Sequence, residues 1–203
     1  WNWLAGTAPT VDNSAGVGAT PTAGSVKIDG SNLGSALGGT IAATRLSANT
    51  TNGFSIITYT GNGSAGATIA HGLAEAPTFV VTKQRGGTSS WQGGSNFLQT
   101  GAWTNYIVLD DTGATGAHIS SWNNTAPDGT VITLGTGGSN NDSGDTFVAY
   151  AFHSVEGYSK VGSYTGNGNA DGTFIYAGFR PAWFMIKSLG TEQWYIPDNK
   201  RLG

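Results

Sequence analysis

Gly53-Phe54-Ser55-Ile56-Ile57-Thr58-Tyr59-Thr60-Gly61-Asn62-Gly63 is a short apolar and β-branched run, Phe54–Tyr59, closed by an Asn-Gly turn. β-Branched and aromatic side chains favour extended chain, and Asn-Gly adopts the left-handed backbone that tight turns demand. The pattern returns later in the chain. Gly157-Tyr158-Ser159 echoes Gly53-Phe54-Ser55, and Tyr164-Thr165-Gly166-Asn167-Gly168 repeats Tyr59-Thr60-Gly61-Asn62-Gly63. Pro77-Thr78-Phe79-Val80-Val81-Thr82-Lys83 is matched by Pro181-Ala182-Trp183-Phe184-Met185-Ile186-Lys187, and Trp91 by Trp194. Gly53 and Gly157 are 104 residues apart, as are Lys83 and Lys187; Tyr59 and Tyr164 are 105 apart, Trp91 and Trp194 103. A fixed period over so long a stretch predicts one structural unit used twice. Its signature is Tyr59, Asn62, Pro77 and Trp91 in the first copy, and Tyr164, Asn167, Pro181 and Trp194 in the second.

Working outward, short β-rich runs bounded by Gly, Asn, Asp and Ser recur at intervals of roughly ten residues. Strands are predicted over Phe54–Tyr59, Thr78–Lys83, Tyr106–Leu109, Val131–Leu134, Thr146–Phe152 and Ala182–Lys187. Fainter runs lie over Ser25–Asp29, Ile41–Leu46, Thr68–His71, Tyr158–Tyr164 and Thr173–Tyr176. Helical periodicity is nearly absent. The expected fold is all-β: repeated antiparallel β-sandwich units of jelly-roll or lectin-like type, preceded by an extended arm. Residues 1–52, rich in Gly, Ala, Thr, Ser and Pro, are expected to form that arm with short strands. Residues 53–156 form the first unit and 157–203 a partial second one. The rest of the second unit is expected either beyond Gly203 or from another chain that covers its open edge.

Composition supports a folded protein of this kind. Charged residues make up only 10% of the chain and Gly supplies 33 of 203 residues, yet there are 7 Trp, 7 Tyr and 8 Phe. Large rings can anchor a core of small neighbours. With a net charge of −3 there is no basic surface to neutralise phosphates, so nucleic acid is not an expected partner. No Cys is present, which removes disulfide and thiolate chemistry. Neither a signal peptide nor an apolar run of membrane-spanning length is visible, so no membrane partner is expected.

The search for chemistry yields few candidates. His71, His118 and His153 lack companions at metal-ligand spacing, and no Gly-x-Ser-x-Gly elbow occurs. The carboxylate clusters hold Asp110 and Asp111, and Asp142 and Asp145. Such oxygen-rich loops suit either turns or calcium. Trp103 and Trp122, near polar loops, are the candidates for stacking on a ligand such as a sugar, whereas Trp91 and Trp194 are expected to be structural. No catalytic residue and no cofactor other than calcium is expected, and the chain is read as a non-enzyme.

Three further stretches give the sequence a family likeness. The Gly53–Gly63 block with His71-Gly72-Leu73, Ala76-Pro77 and Trp122-Asn123-Asn124-Thr125-Ala126-Pro127 resembles an uncharacterised domain of tailed-phage virion proteins, frequent in phages of marine bacteria. Gly162–Gly168 through Gly178-Phe179-Arg180-Pro181-Ala182-Trp183 looks like that family's following repeat. Leu4–Thr10 and Val26–Gly30 resemble its upstream region. The resemblance implies an extracellular, virion-surface location and a structural or adhesive role in a tail fibre or similar appendage. It also implies contacts with copies of itself, a trimer by analogy, with other virion proteins and with a host cell-surface glycan. The other readings are a cellular adhesin or self-assembling appendage subunit, a carbohydrate-binding module, and a polysaccharide depolymerase. It carries over no catalytic residue.

Overall fold

The computed structural model describes residues 5–98 and 103–200. The first four residues of the expected arm and the last three of the second block lie outside them. The described elements are β1 (Val26–Ile28), β2 (Ser31–Asn32), β3 (Arg45–Asn49), β4 (Phe54–Thr60), β5 (Ala67–Ala70), β6 (Phe79–Gln84), β7 (Gln92–Ser95), β8 (Asn105–Val108), β9 (Gly116–Ala117), one helical turn α1 (Ile119–Trp122), β10 (Val131–Leu134) and β11 (Thr146–Phe152). The protein is nearly all β.

Nine strands form one sheet in the order β2-β1-β3-β4-β11-β6-β7-β8-β9. Neighbours are antiparallel except β1 and β3, which run parallel with Val26 opposite Leu46. The expected purely antiparallel sheet is therefore mixed. The reason is the connection after β2: it crosses to the other sheet, where the Thr40 and Ile41 amides both donate to the Thr68 carbonyl at 2.9 Å, and returns to start β3 in the direction of β1. β11 comes from the far end of the first block yet lies at the centre of the sheet. Thr146–Phe152 pairs along its whole length with Thr60–Phe54 on one side, and Phe147–Phe152 pairs with Gln84–Phe79 on the other.

β5 and β10 form a separate two-stranded sheet. Their Ile69, Ile132 and Leu134 belong to one buried cluster with Leu46, Ile57, Tyr59, Val80 and Phe147 of the large sheet. Period-2 alternation produces this: in β4 Ile57 and Tyr59 point inward, and in β11 Phe147, Ala149 and Ala151 do. Each large aliphatic side chain so buried contributes about 1.5–3 kcal/mol. Trp103 and Trp122 complete the cluster as an edge-to-face pair with ring centroids 5.2 Å apart. They lie over Gly94 of β7, where a Cβ would come within 2.5 Å of the Trp122 ring.

The segment expected as an arm lies on the sheet. β3 is a full sheet strand against β4, with Leu46 opposite Ile57. Ahead of it, the Ser47 hydroxyl donates to the carbonyls of Ala5 and Thr7, and the Asn13 amide group donates to the Ala43 carbonyl. Its small residues and carbonyls suit extended chain fastened to the sheet rather than a free linker.

The two sequence blocks agree in their turns and differ in their strands. Gly53, Gly63 and Gly72 have φ of 65°, 68° and 68°; their counterparts Gly157, Gly168 and Gly178 have 73°, 67° and 84°. The Asn62 carboxamide oxygen accepts from the Ser64 amide, and that of Asn167 accepts likewise from the Asn169 amide. Bridges join Trp183 to Asp198 and Ile186 to Tyr195. Under the sequence offsets these are the counterparts of Phe79 with Ser95 and Thr82 with Gln92 in the β6–β7 hairpin. The strands expected over Tyr158–Tyr164, Thr173–Tyr176 and Ala182–Lys187 are nevertheless absent as ladders; only isolated bridges occur there. In the first block β4 and β6 are not neighbours, because β11 lies between them. Among the described residues no strand lies between their counterparts.

Candidate binding face

One face of the large sheet packs on the core; the other carries a ribbon of rings. Outward-pointing residues of β11 set it: Phe152 stands between Phe54 and Phe79, Tyr150 between Ile56 and Val81, and Val148 between Thr58 and Lys83. Phe152 stacks on Phe54 at 4.7 Å between centroids and on Phe79 at 5.9 Å. Tyr150 stacks on Phe54 at 6.5 Å and on Trp91 at 6.0 Å. Interplanar angles of 6° to 30° make the five rings a nearly continuous tilted stack across three strands and the residue that precedes β7. Each such pair is worth about 0.5–1.5 kcal/mol beyond area burial. Phe54 is buried, while Phe79, Trp91, Tyr150 and Phe152 keep part of their surface in solvent. Trp91 is held from behind: its amide donates to the Asp110 carboxylate at 3.0 Å and its carbonyl accepts from the Leu109 amide at 3.0 Å. β7 narrows beneath the ribbon because Gly93 lets Ile107 and Phe79 close over it, with a Cβ there only 2.8 Å from Ile107.

At the β3 side the ribbon gives way to two clefts. One, of about 330 Å³, lies between Ala5–Pro9 and the outward side chains of Arg45, Ser47, Ile56 and Thr58. The other, of about 280 Å³, is polar and is lined by Asp12, Thr44, Arg45, Thr58 and Arg85. Arg45 forms an ion pair with Asp12 there. A half-exposed aromatic surface flanked by guanidinium and hydroxyl groups can stack on apolar faces of a ligand and hydrogen-bond its edges.

The residues predicted from sequence fall elsewhere. Trp103 and Trp122 are 1% and 0% exposed and cannot present a ring to a sugar; they are core. Their polar sequence neighbours misled, because α1 and the loop before β8 fold inward over Gly94. The Trp103 indole nitrogen donates to the Asn96 carboxamide oxygen. The Asp residues considered for calcium act as hydrogen-bond acceptors, Asp111 and Asp142 within their own turns and Asp110 and Asp145 from distant segments. Asp110 takes the Trp91 amide, Asp111 the Thr112 and Gly113 amides, Asp142 the Ser143 amide and Asp145 the Gln84 carboxamide. Among the described residues no three of His, Cys, Asp and Glu come together to hold a metal ion. His71 is buried; its Nδ1 accepts from the Leu73 amide and its Nε2 lies 3.1 Å from the Asp128 carbonyl, and burial pushes its pKa below the usual imidazole value. His118 caps α1 through Nδ1.

The Tyr-Thr-Gly-Asn-Gly motif has a role that sequence reading missed. It does not simply turn back into β5. The Tyr59 hydroxyl donates to the Asn140 carbonyl at 2.6 Å, the Gly61 amide to the Asp145 carbonyl at 2.8 Å, and the Asn62 amide to the Asn141 side chain at 2.9 Å. Gly61 has no room for a side chain, since a Cβ would lie 2.3 Å from the Asp142 carbonyl oxygen. The motif thus clasps the loop that delivers β11. The aromatic ribbon was also missed. Its signal was the run Phe147-Val148-Ala149-Tyr150-Ala151-Phe152, apolar in both parities and therefore expected to be covered on both faces.

Residues 27–203 match the family described as Domain of unknown function (DUF7483). No curated protein and no solved structure matches the chain. Among the described residues no helix is long and apolar enough to cross a membrane.

Proposed function

We infer the role of this chain, which belongs to the DUF7483 family, from its aromatic outer face: it is a structural or adhesive module of a virion surface, in a tail fibre or similar appendage, and not an enzyme. The observation that carries the reading is the stacked ribbon of Phe54, Phe152, Phe79, Tyr150 and Trp91, part-exposed on a sheet of low charge. Contact surfaces are depleted in charge and enriched in aromatic residues, and this face fits that description. The large sheet with its small β5–β10 cover is read as a lopsided, lectin-like sandwich that offers its uncovered face. The partner is a copy of the same protein, in a closed homo-oligomer such as a trimer, or another virion protein. A second reading, weak binding of a host glycan, is favoured by the Arg45–Arg85 cleft beside the rings.

Gold-labelled antibodies against the chain, imaged on phage particles of the source virus, test the role: label on the tail or its fibres is expected, and particles without label reject it. Trp91→Ala and Tyr150→Ala separate the two partners. Loss of assembly with unchanged cell adhesion assigns the face to subunit contact, and the reverse assigns it to the glycan.

A further inference from the structure

We propose that residues 157–194 are a strand acceptor: a copy of the first unit's N-terminal half that takes up an extended segment with the chemistry of Val131–Phe152. The inference concerns the repeat and does not rest on the virion reading.

In the first unit the segment Val131–Phe152 does three things. β10 pairs with β5, with Ile132 opposite Ile69. The Asn140–Asp145 loop fills the clasp formed by Tyr59, Gly61 and Asn62. β11 then enters between β4 and β6 and pairs with both. The second block has the receiving parts in the same local geometry: left-handed Gly157, Gly168 and Gly178, the Asn167 turn, and a hairpin with the Ile186–Tyr195 and Trp183–Asp198 bridges. Its side chains are those of an acceptor with nothing inserted. Tyr59 is 1% exposed and Tyr164 48%; Ile69 is 0% exposed and Ile175, in the equivalent Gly-x-x-Ile context, 51%. Large apolar side chains that are exposed concentrate here, including Phe174 at 86% and Tyr176 at 72%. Rings so placed need cover, and unpaired strand edges recruit a strand. What fits is stated by the first unit: a strand with Phe, Ala, Ala at one parity and Val, Tyr, Phe at the other, preceded by an Asn-Asn-Asp loop that seats on Tyr164 and Gly166.

The test uses the full chain and a synthetic peptide of the Val131–Phe152 sequence, read by hydrogen exchange with mass spectrometry and by fluorescence anisotropy of the labelled peptide. Added peptide should bind one per chain and slow exchange over 158–164 and 182–187 by about tenfold or more. A peptide with the same composition but shifted parity should not. Gly166→Ala sharpens the test. A Cβ at Gly166 meets nothing within 4 Å in the free chain, whereas at Gly61 it would strike the loop carbonyl at 2.3 Å. G166A should therefore fold as wild type and lose at least about tenfold in peptide affinity. The proposal is overturned if 158–187 is already protected in the free chain, if the parity-shifted peptide protects equally, or if G166A binds the peptide like wild type.

Discussion

The Tyr59 hydroxyl lies in a fully buried site, where burial pushes its pKa far above the ordinary phenol value, so at any working pH it is a neutral donor to the Asn140 carbonyl. Tyr59→Phe leaves that carbonyl short of a partner and should lower stability by about 1–2 kcal/mol in guanidinium unfolding. Tyr164→Phe, at the equivalent exposed position, should change it by less than about 0.5 kcal/mol in the chain alone. His71 sets a pH dependence. Its pKa is lowered by burial from 6.5, so the unfolded chain takes up a proton that the folded chain refuses until lower pH. Its share of stability is full above about pH 6.5 and falls as pH drops below that value. Asp128, held below the carboxylate range by hydrogen bonds from Val131 and Thr130, gives up its share only in a lower window, as pH falls through its depressed pKa. Urea midpoints at pH 7.5 and 5.5 should therefore differ for the wild type. His71→Gln should be less stable at pH 7.5 and should narrow the difference between the two pH values.

Among elements, β7 is the strand most exposed to a single methyl group. Gly94→Ala places a Cβ within 2.5 Å of Trp122 and 2.7 Å of Trp103, neither of which has free space to retreat into. Overpacking of this kind should cost about 1–3 kcal/mol, measured by thermal or chemical unfolding, with near-ultraviolet circular dichroism reporting the disturbed indole pair. β7 also marks where sequence stops being informative. β10 and β11 are legible to the residue, because their β-branched and aromatic runs are bounded by Gly and Asp turns. β7 is Gln-Gly-Gly-Ser, with no propensity for strand, and forms only because β6 and β8 flank it and two tryptophans need flat backbone beneath them. β3 lies up to four residues later than the Ile41–Leu46 run suggests. Ile41 and Ala43 serve the core from a loop, and pairing with β4 starts only at Arg45. The Trp103 and Trp122 misassignment has the same root. Polar neighbours in sequence say little when a four-residue helical turn folds Trp122 inward and leaves Ile119 outside. The ring ribbon depends on register between β4, β11 and β6, and register with a strand some ninety residues away is not written in either strand alone.

At the scale of the whole chain, the two blocks are held together thinly. Residues 157–200 touch the first unit in two places. Just after β11 the Ser159 amide donates to the Val155 carbonyl at 2.9 Å and the Val161 amide to the Ser154 hydroxyl at 3.0 Å. At the β8–β9 margin of the sheet, away from the core cluster, the Trp194 indole lies on the Val108 carbonyl at 3.1 Å, the Thr115 amide on the Leu189 carbonyl at 3.0 Å, and the Lys187 ammonium on the Thr112 carbonyl at 3.4 Å. The first unit, by contrast, closes on itself when β11 enters between β4 and β6. Cooperative unfolding should therefore belong to residues 5–156, and the second block should open locally at much lower free energy. Trypsin reads this directly. Lys160 is exposed and lies outside any strand, whereas Arg45, Lys83 and the edge of Arg85 are fixed in or against the large sheet. Brief digestion at low protease should cut first at Lys160 and leave a large fragment ending there. That fragment should unfold within about 1 kcal/mol of the intact chain, since loss of a few margin hydrogen bonds is all that separates them. First cuts at Arg45 or Arg85, or a fragment that no longer unfolds cooperatively, would show instead that the second block braces the sheet. Addition of the Val131–Phe152 peptide before digestion should slow the Lys160 cut selectively, because an inserted strand pairs with 158–164, where Lys160 lies, while it leaves the first unit unchanged.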